Sequence, residues 1–252
     1  MYSAQFRTVL SQEDPVADVI WFHHAGGSTA ALVATMRSLT HPPAVRVICP
    51  VLPAREQSTD QSFEGTLDQL AGELATAWSE RDDVPAERPL VIIGHSFGSV
   101  LAYRFAAELY GRGTIARRLV VLSFAPPDQL RHHPPLHQLD DKQLVQKVDS
   151  LFGGIPDDLQ HDPAAHEFFL PALRLDLRLL ECYEHQPATP LPIPIVAISG
   201  TEDSTVDLTQ MQGWERFTSA AFRLRSMPGD HFFPADRASQ VLQVALWDLL
   251  PG

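Results

Sequence analysis

The chain has 252 residues, of which 44% are hydrophobic and 20% charged, and its 19 basic and 31 acidic residues give a net charge of −12. This composition is that of a globular protein, and the acidic balance argues against nucleic acid or an anionic membrane as a partner. No run reaches the roughly 18 apolar residues of a membrane span, and the first residues lack the order of a signal peptide. Cys49 and Cys182 lie far apart in apolar surroundings, which predicts two buried, reduced thiols. We therefore expect one domain over residues 1–252, located in the cytoplasm.

Short runs rich in β-branched residues alternate along the chain with segments of helical spacing. Strands are predicted at 18–22, 44–49, 90–93, 119–122, 195–198 and 222–225, and helices at 29–39, 67–78, 99–109 and 238–249. Alternation of this kind is typical of a mostly parallel sheet with helices on both faces. The predicted fold class is therefore α/β.

Residues 127–192 interrupt this alternation because they contain no convincing strand pattern. Helices are predicted over 137–150 and 163–184, partly from the spacing of apolar residues. Ligands of parallel α/β sheets bind above the carboxyl ends of the strands, and lids commonly close over such sites. We interpret 127–192 as a helical lid insertion, and a helical subdomain that only stabilises the fold is the alternative.

The most informative motif is Gly-His-Ser-Phe-Gly at positions 94–98. It lies between a predicted strand and a predicted helix, which is the setting of a nucleophile elbow. A turn this sharp strains the backbone of the serine and leaves little room for side chains beside it, which explains the two glycines. We predict that Ser96 is a nucleophile, and a glycine-rich turn with a capping serine is the alternative.

A serine hydroxyl needs a general base, and the base needs an acid that orients it. In α/β-hydrolases the acid and then the histidine follow the elbow along the chain. His231 follows the last predicted strand and is the predicted base. Asp203, just after the strand at 195–198, is the predicted acid, with Asp207 or Asp128 as alternatives.

Acyl transfer also requires two hydrogen-bond donors for the developing oxyanion. The backbone N–H of Phe97, directly after the nucleophile, is the expected first donor. The second is expected in the glycine-rich turn at 22–28, where we assign it to Ala25 with Gly26 as the alternative. No nucleotide-binding motif and no metal-ligand spacing is present, so we expect neither a cofactor nor a metal.

These motifs together resemble the stand-alone type II thioesterases of the α/β-hydrolase superfamily that accompany nonribosomal peptide and polyketide synthases. The resemblance covers nearly the whole chain and rests on the segments 22–28, 52–56, 94–99, 169–176, 214–218 and 228–233. The catalytic triad of the family maps onto Ser96, Asp203 and His231. The chain departs from the family pattern at His23, where proline is usual, and at Ala54, where glycine is usual. It also has Ser204 where the family more often has proline after the acid.

The resemblance implies that the substrate is an acyl group held as a thioester on the phosphopantetheine arm of a carrier protein. The enzyme would remove aberrant or stalled acyl groups from acyl or peptidyl carrier domains through an acyl-enzyme, as a monomer and in transient contact with its partner. Its acidic charge predicts weak docking through apolar or arginine-bearing surface. Candidates for the wall of an acyl pocket are Phe152, Phe168, Phe169 and Leu170, with plain lid core as the alternative. Two other functions stay open, a general small-ester hydrolase and a catalytically idle module that binds carrier domains.

Overall fold

One twisted sheet forms the centre of the molecule, for which the computed structural model describes residues 2–56, 62–130, 135–153, 155 and 163–249. Its strands are β1 (Gln5–Ser11), β2 (Ala17–Phe22), β3 (Val45–Val51), β4 (Leu90–His95), β5 (Arg118–Leu122), β6 (Ile195–Gly200) and β7 (Phe222–Met227). Within the described residues their spatial order is β1-β3-β2-β4-β5-β6-β7. Only β1 and β3 pair antiparallel, and the other neighbours pair parallel. The predicted mostly parallel sheet is therefore confirmed.

Helices cover both faces of this sheet, as the sequence predicts. The helices of the described residues are α1 (Thr29–Arg37), α2 (Leu67–Ser79), α3 (Phe97–Gly111), α4 (Asp141–Phe152), α5 (Pro163–Glu181), α6 (Leu208–Gln212), α7 (Phe233–Asp236) and α8 (Ala238–Leu246). Helices α2 and α3 bury their apolar residues in one cluster, and α1 and α8 do so in a second cluster on the opposite face. The fold is that of the α/β-hydrolases. No helix in the described part of the chain is both long and apolar enough to cross a membrane.

Local sequence explains where several helices begin. The Thr66 hydroxyl accepts a hydrogen bond from the backbone N–H of Gln69, and the Gln69 side chain accepts one from the N–H of Thr66, so α2 starts with a capping box. The Asp140 carboxylate caps α4 by accepting from the N–H of Gln143 at 2.8 Å. Such caps satisfy backbone donors that the first helical turn leaves without a partner.

The connection between β5 and β6 contains α4 and α5 and has a small apolar core of its own. That core includes Leu144, Val148, Leu170, Leu173 and Leu177. Part of the predicted insertion 127–192, namely residues 131–134, 154 and 156–162, lies outside the described residues. The two described helices correspond to the two predicted ones, but α4 runs over Asp141–Phe152 rather than 137–150, and α5 ends at Glu181 rather than at 184.

Two sequence expectations need correction. The sequence pattern does not predict β1, because this edge strand has no continuous apolar run and its side chains are exposed or only half-buried. Cys49 is buried as expected, but Cys182 is exposed. Cys182 follows the last residue of α5, so its apolar neighbours along the chain face inward while its own side chain does not.

Candidate active site

The turn between β4 and α3 holds Ser96 in a strained conformation, with φ of 55° and ψ of −123°. A methyl group on Gly94 would come within 2.2 Å of the carbonyl oxygen of Gly98, and one on Gly98 would come within 2.5 Å of the Phe22 carbonyl oxygen. Both positions therefore exclude a side chain. The Ser96 N–H donates to the carbonyl oxygen of Leu122 in β5 at 2.9 Å, which ties the turn to the neighbouring strand. Strain of this kind is typical of functional sites.

The structure brings Ser96, His231 and Asp203 together at the carboxyl ends of β4, β6 and β7. The Ser96 Oγ lies 3.0 Å from His231 Nε2, and His231 Nδ1 lies 3.1 Å from Asp203 Oδ2. All three side chains are buried or nearly so. This arrangement has the geometry that acyl transfer requires of a nucleophile, a base and an acid.

Both alternative acids are engaged elsewhere. The Asp207 carboxylate caps α6 by accepting from the N–H of Gln210 at 2.7 Å. Asp128 accepts from Arg216 Nη2 at 2.6 Å. Neither carboxylate is hydrogen-bonded to His231, so Asp203 alone of the three has the geometry of the acid.

Thr205 also contacts the candidate acid, and no sequence pattern singles this residue out. Its backbone N–H and its hydroxyl both donate to Asp203 Oδ1, at 2.9 and 2.6 Å. Burial raises the pKa of Asp203, but hydrogen bonds from His231 and Thr205 and the positive charge that His231 acquires outweigh burial and hold the pKa well below its usual value. Asp203 is therefore ionised at neutral pH and accepts the proton of His231 Nδ1. His231 Nε2 is then free to accept from Ser96.

Two more imidazoles lie near His231, with His95 packed against it and His24 packed against His95, and both are neutral at pH 7. His95 Nε2 donates to the backbone carbonyl of His231 at 2.8 Å, which fixes the loop that carries the base. Burial lowers the pKa of His95 well below its usual value, and burial lowers the pKa of His24 to about 4. The ring centroids of His24 and His95 are 5.3 Å apart. Neither ring therefore adds a competing positive charge beside the base.

A buried ion pair holds the glycine-rich turn that follows β2. The N–H of Gly26 donates to Asp176 Oδ2 at 2.9 Å, so this group is already in use. Within the described residues the N–H groups of Ala25 and Phe97 have no protein acceptor. Of the two candidates in this turn, Ala25 is therefore the one whose N–H is available to an oxyanion.

Asp176 belongs to α5 and pairs with Arg55, which lies after β3. Arg55 Nη2 donates to Asp176 Oδ1 at 2.6 Å, Nη1 donates to the Gly27 carbonyl at 2.8 Å, and Nε donates to the Pro53 carbonyl at 3.1 Å. Arg55 is 4% exposed and Asp176 is fully buried. One guanidinium thus connects α5 to the turn that contains Ala25.

A cavity of about 140 Å³ adjoins the triad beneath the β5–β6 connection. Thr205 lines it, and so does Phe152, whose ring centroid is 5.3 Å from that of His231. Most of the other lining side chains are apolar, among them Phe124, Leu130, Leu136, Leu177 and Leu180. A larger depression of about 690 Å³ lies at the amino ends of the strands, away from these residues. The smaller cavity is not lined by Ser96, His231 or Asp203 themselves, but it meets the site through Thr205 and Phe152, which both contact His231.

Comparison with known protein families decides what kind of protein carries this site. A model of the thioesterase domain matches residues 17–245. The chain belongs to the thioesterase family. It is therefore a hydrolase that acts on thioester bonds.

Curated relatives and solved structures resemble this thioesterase over most of its length. The thioesterase PikA5 of Streptomyces venezuelae is 28% identical over 221 residues, which cover 86% of the chain and 75% of PikA5. The AMB antimetabolite synthetase AmbE of Pseudomonas aeruginosa is 30% identical over 211 residues, and the matched region covers 83% of the chain but only 10% of AmbE. The structure of the type II thioesterase BorB from the borrelidin biosynthetic cluster aligns with a TM-score of 0.84 and 26% identity over 97% of both chains.

The thioesterase places the four predicted acyl-pocket residues in different environments. Phe152 lines the cavity beside the triad. Phe168 is 73% exposed and does not line this cavity. Leu170 packs in the core of the β5–β6 connection, and the Phe169 ring lies against Gly26. The α5 residues that do line this cavity come later in the helix, beginning with Leu177.

Proposed function

We propose that this protein is a type II thioesterase that hydrolyses aberrant or stalled acyl thioesters on the phosphopantetheine arms of carrier proteins of a nonribosomal peptide or polyketide synthase. The observation that carries the proposal is the hydrogen-bonded sequence from Ser96 through His231 to Asp203 at a strained strand-to-helix turn. Membership of the thioesterase family supports the reaction. The likeness to BorB over nearly the whole of both chains supports the type II class.

The first half-reaction forms an acyl-enzyme. His231 Nε2 accepts the proton of Ser96 while the Ser96 oxygen attacks the thioester carbonyl carbon. Asp203, ionised because of its lowered pKa, holds the Nδ1–H of His231 and stabilises the imidazolium that forms. The carbon–sulfur bond then breaks, and the phosphopantetheine thiol leaves with the proton from His231.

The second half-reaction releases the acid. His231 accepts a proton from water, which attacks the acyl-Ser96 ester, and the imidazolium returns the proton to the Ser96 oxygen as the ester bond breaks. In both steps the N–H groups of Phe97 and Ala25 stabilise the negative charge on the carbonyl oxygen, and loss of one such donor typically costs about 10²–10³-fold in rate.

The cavity beside the triad is the site that we assign to the acyl group. Its volume of about 140 Å³ is below the ~300–1,000 Å³ of pockets for drug-sized ligands, which favours short acyl groups over long chains. Phe152 and Leu180 contribute apolar side chains to its wall. We further propose that the β5–β6 connection, with α4 and α5, acts as the lid of this site.

The carrier domain is a transient partner in this proposal, and the enzyme works as a monomer without a cofactor of its own. With a net charge of −12, the enzyme gains little long-range attraction from an acidic carrier. Docking that relies on local apolar contacts is correspondingly weak and fast to reverse. Weak docking suits an enzyme that must visit many carriers.

The test compares acyl-phosphopantetheinyl carrier protein with the matching free thioester, for wild type and for Ser96→Ala. We expect faster turnover on the carrier and loss of turnover in the variant. Equal or faster turnover of free esters would instead identify a general hydrolase. Carrier binding without any turnover by wild type would identify an idle binding module. Thr201→Val, an exposed change in the loop after β6, is the control that leaves turnover intact.

A further inference from the structure

We propose that Thr205 is a positioning residue of the catalytic triad, whose hydroxyl bridges the acid and the base. The inference rests on the proposed roles of Ser96, His231 and Asp203. It is carried by four contacts around Thr205 and the acid.

Thr205 fixes the orientation of the Asp203 carboxylate. Thr205 follows Asp203 by two residues, and its N–H and hydroxyl both donate to the same oxygen, Oδ1 of Asp203, at 2.9 and 2.6 Å. A carboxylate that receives two donors on one oxygen cannot rotate without breaking both bonds. The other oxygen, Oδ2, is thereby held towards His231 Nδ1, which lies 3.1 Å away.

The Thr205 hydroxyl also contacts the base. The Thr205 oxygen also lies 2.9 Å from His231 Nδ1. Since the hydroxyl proton is directed to Asp203, a lone pair of the hydroxyl oxygen faces the imidazole and accepts from Nδ1–H. The Nδ1 proton is therefore shared between Asp203 Oδ2 and the Thr205 hydroxyl. Sharing keeps the proton on Nδ1 and leaves Nε2 as the acceptor for Ser96.

Two substitutions at Thr205 distinguish a hydrogen-bonding role from a packing role. Valine has nearly the same shape as threonine but neither donates nor accepts, so Thr205→Val removes both hydroxyl contacts and keeps the volume. Serine keeps the hydroxyl and removes the methyl group. A hydroxyl function therefore predicts that the valine variant is slowed and the serine variant is not, whereas a packing function predicts the reverse.

The experiment measures how fast Ser96 reacts with a fluorophosphonate, a serine-directed reagent that requires no carrier protein. We expect Thr205→Val to react about 10- to 100-fold more slowly, because hydrogen bonds to charged partners are lost. Thr205→Ser is expected to recover to within about threefold, and Thr201→Val to match wild type. The proton resonance of His231 Nδ1–H should move in Thr205→Val and return in Thr205→Ser.

Each outcome bears on the inference separately from the wider function. Wild-type labelling at Ser96 with an equally reactive Thr205→Val and an unmoved resonance would overturn the role of Thr205 and leave the triad intact. A slow Thr205→Ser beside a Thr205→Val as reactive as wild type would show that the methyl group matters instead. Failure of wild type to react at Ser96 would contradict the proposed nucleophile and the inference with it. Failure on carrier substrates alone would affect only the proposed partner.

Discussion

Removing the charge of Asp176 should destabilise the fold and slow catalysis together. Asp176 is fully buried and accepts from Arg55 Nη2 at 2.6 Å and from the Gly26 N–H at 2.9 Å. Asp176→Asn preserves the shape but leaves the Arg55 guanidinium buried without its counter-ion. Breaking a buried pair by neutralising one partner typically costs about 3–5 kcal/mol, a large part of the ~5–15 kcal/mol by which most domains are stable.

For a domain of this size, each kcal/mol lowers Tm by about 2–4 °C, so the expected fall in Tm for Asp176→Asn is roughly 6–20 °C. Differential scanning calorimetry measures it directly. The double variant Arg55→Met with Asp176→Leu should be more stable than Asp176→Asn, because a buried pair replaced by apolar side chains leaves no unpaired charge. At a temperature where the single variant is folded, kcat should fall while KM changes little, since the Gly26 contact orients the turn that carries Ala25.

Two results would refute this reasoning. If Asp176→Asn melts within about 2 °C of wild type, the pair does not contribute the energy that its burial implies. If kcat is unchanged in the folded variant, the contact between α5 and the turn after β2 does not control the oxyanion donor. Asp141→Asn removes an ion pair between α4 and α5 at an exposed position, with Arg174, and is the matched control that should cost less than about 1 kcal/mol.

Three further predictions follow from single contacts. Gly98→Ala puts a methyl group 2.5 Å from the Phe22 carbonyl oxygen, so we expect a loss of about 1–3 kcal/mol in urea denaturation, and an unchanged midpoint would contradict the close approach. The pKa of Asp203 is lower in the folded than in the unfolded chain, so its ionised form stabilises the fold above about pH 4 and that contribution is lost as the pH falls further. The difference in free energy of unfolding between wild type and Asp203→Asn should therefore stay constant above about pH 4 and shrink as the pH falls below it, and a difference that stays constant below that pH would count against this view. Leu180→Phe narrows the cavity beside the triad and should raise KM for longer acyl groups first, whereas Leu208→Phe at an exposed position should change no substrate preference.

The parts of the site that local sequence patterns mark could be predicted from the sequence. Ser96 could be located because a glycine-rich motif joins a strand pattern to a helix pattern, and Asp203 and His231 because each directly follows a strand. These inferences need only the rule that parallel strands end at the same edge of the sheet. The edge strand β1 was not predicted, because hydrophobic periodicity indicates buried strands and β1 is not buried.

Contacts between distant segments could not be predicted in the same way. Arg55 and Asp176 are 121 positions apart, and no local pattern pairs an arginine after one strand with an aspartate inside a helix of a later connection. Thr205 is close to Asp203 in sequence, but its role depends on the conformation of one loop rather than on any periodicity. The exposure of Phe168 could not be predicted either, because a helical period gives the angle between side chains and leaves open which face of the helix meets the active site.

Because the triad residues lie far apart along the chain, catalytic activity requires nearly the whole domain to be folded. Ser96 and His231 are 135 positions apart, and the His95 contact that holds the His231 backbone spans 136. A nascent chain that has left the ribosome only as far as β6 contains the elbow but no base. Refolding followed by the return of fluorophosphonate labelling at Ser96 would therefore register the docking of β7 and its histidine loop, the last element to be synthesised before α7 and α8. For the same reason, a protease cut between Ser96 and the loop that carries His231 should abolish the reactivity of Ser96 only if the two fragments separate.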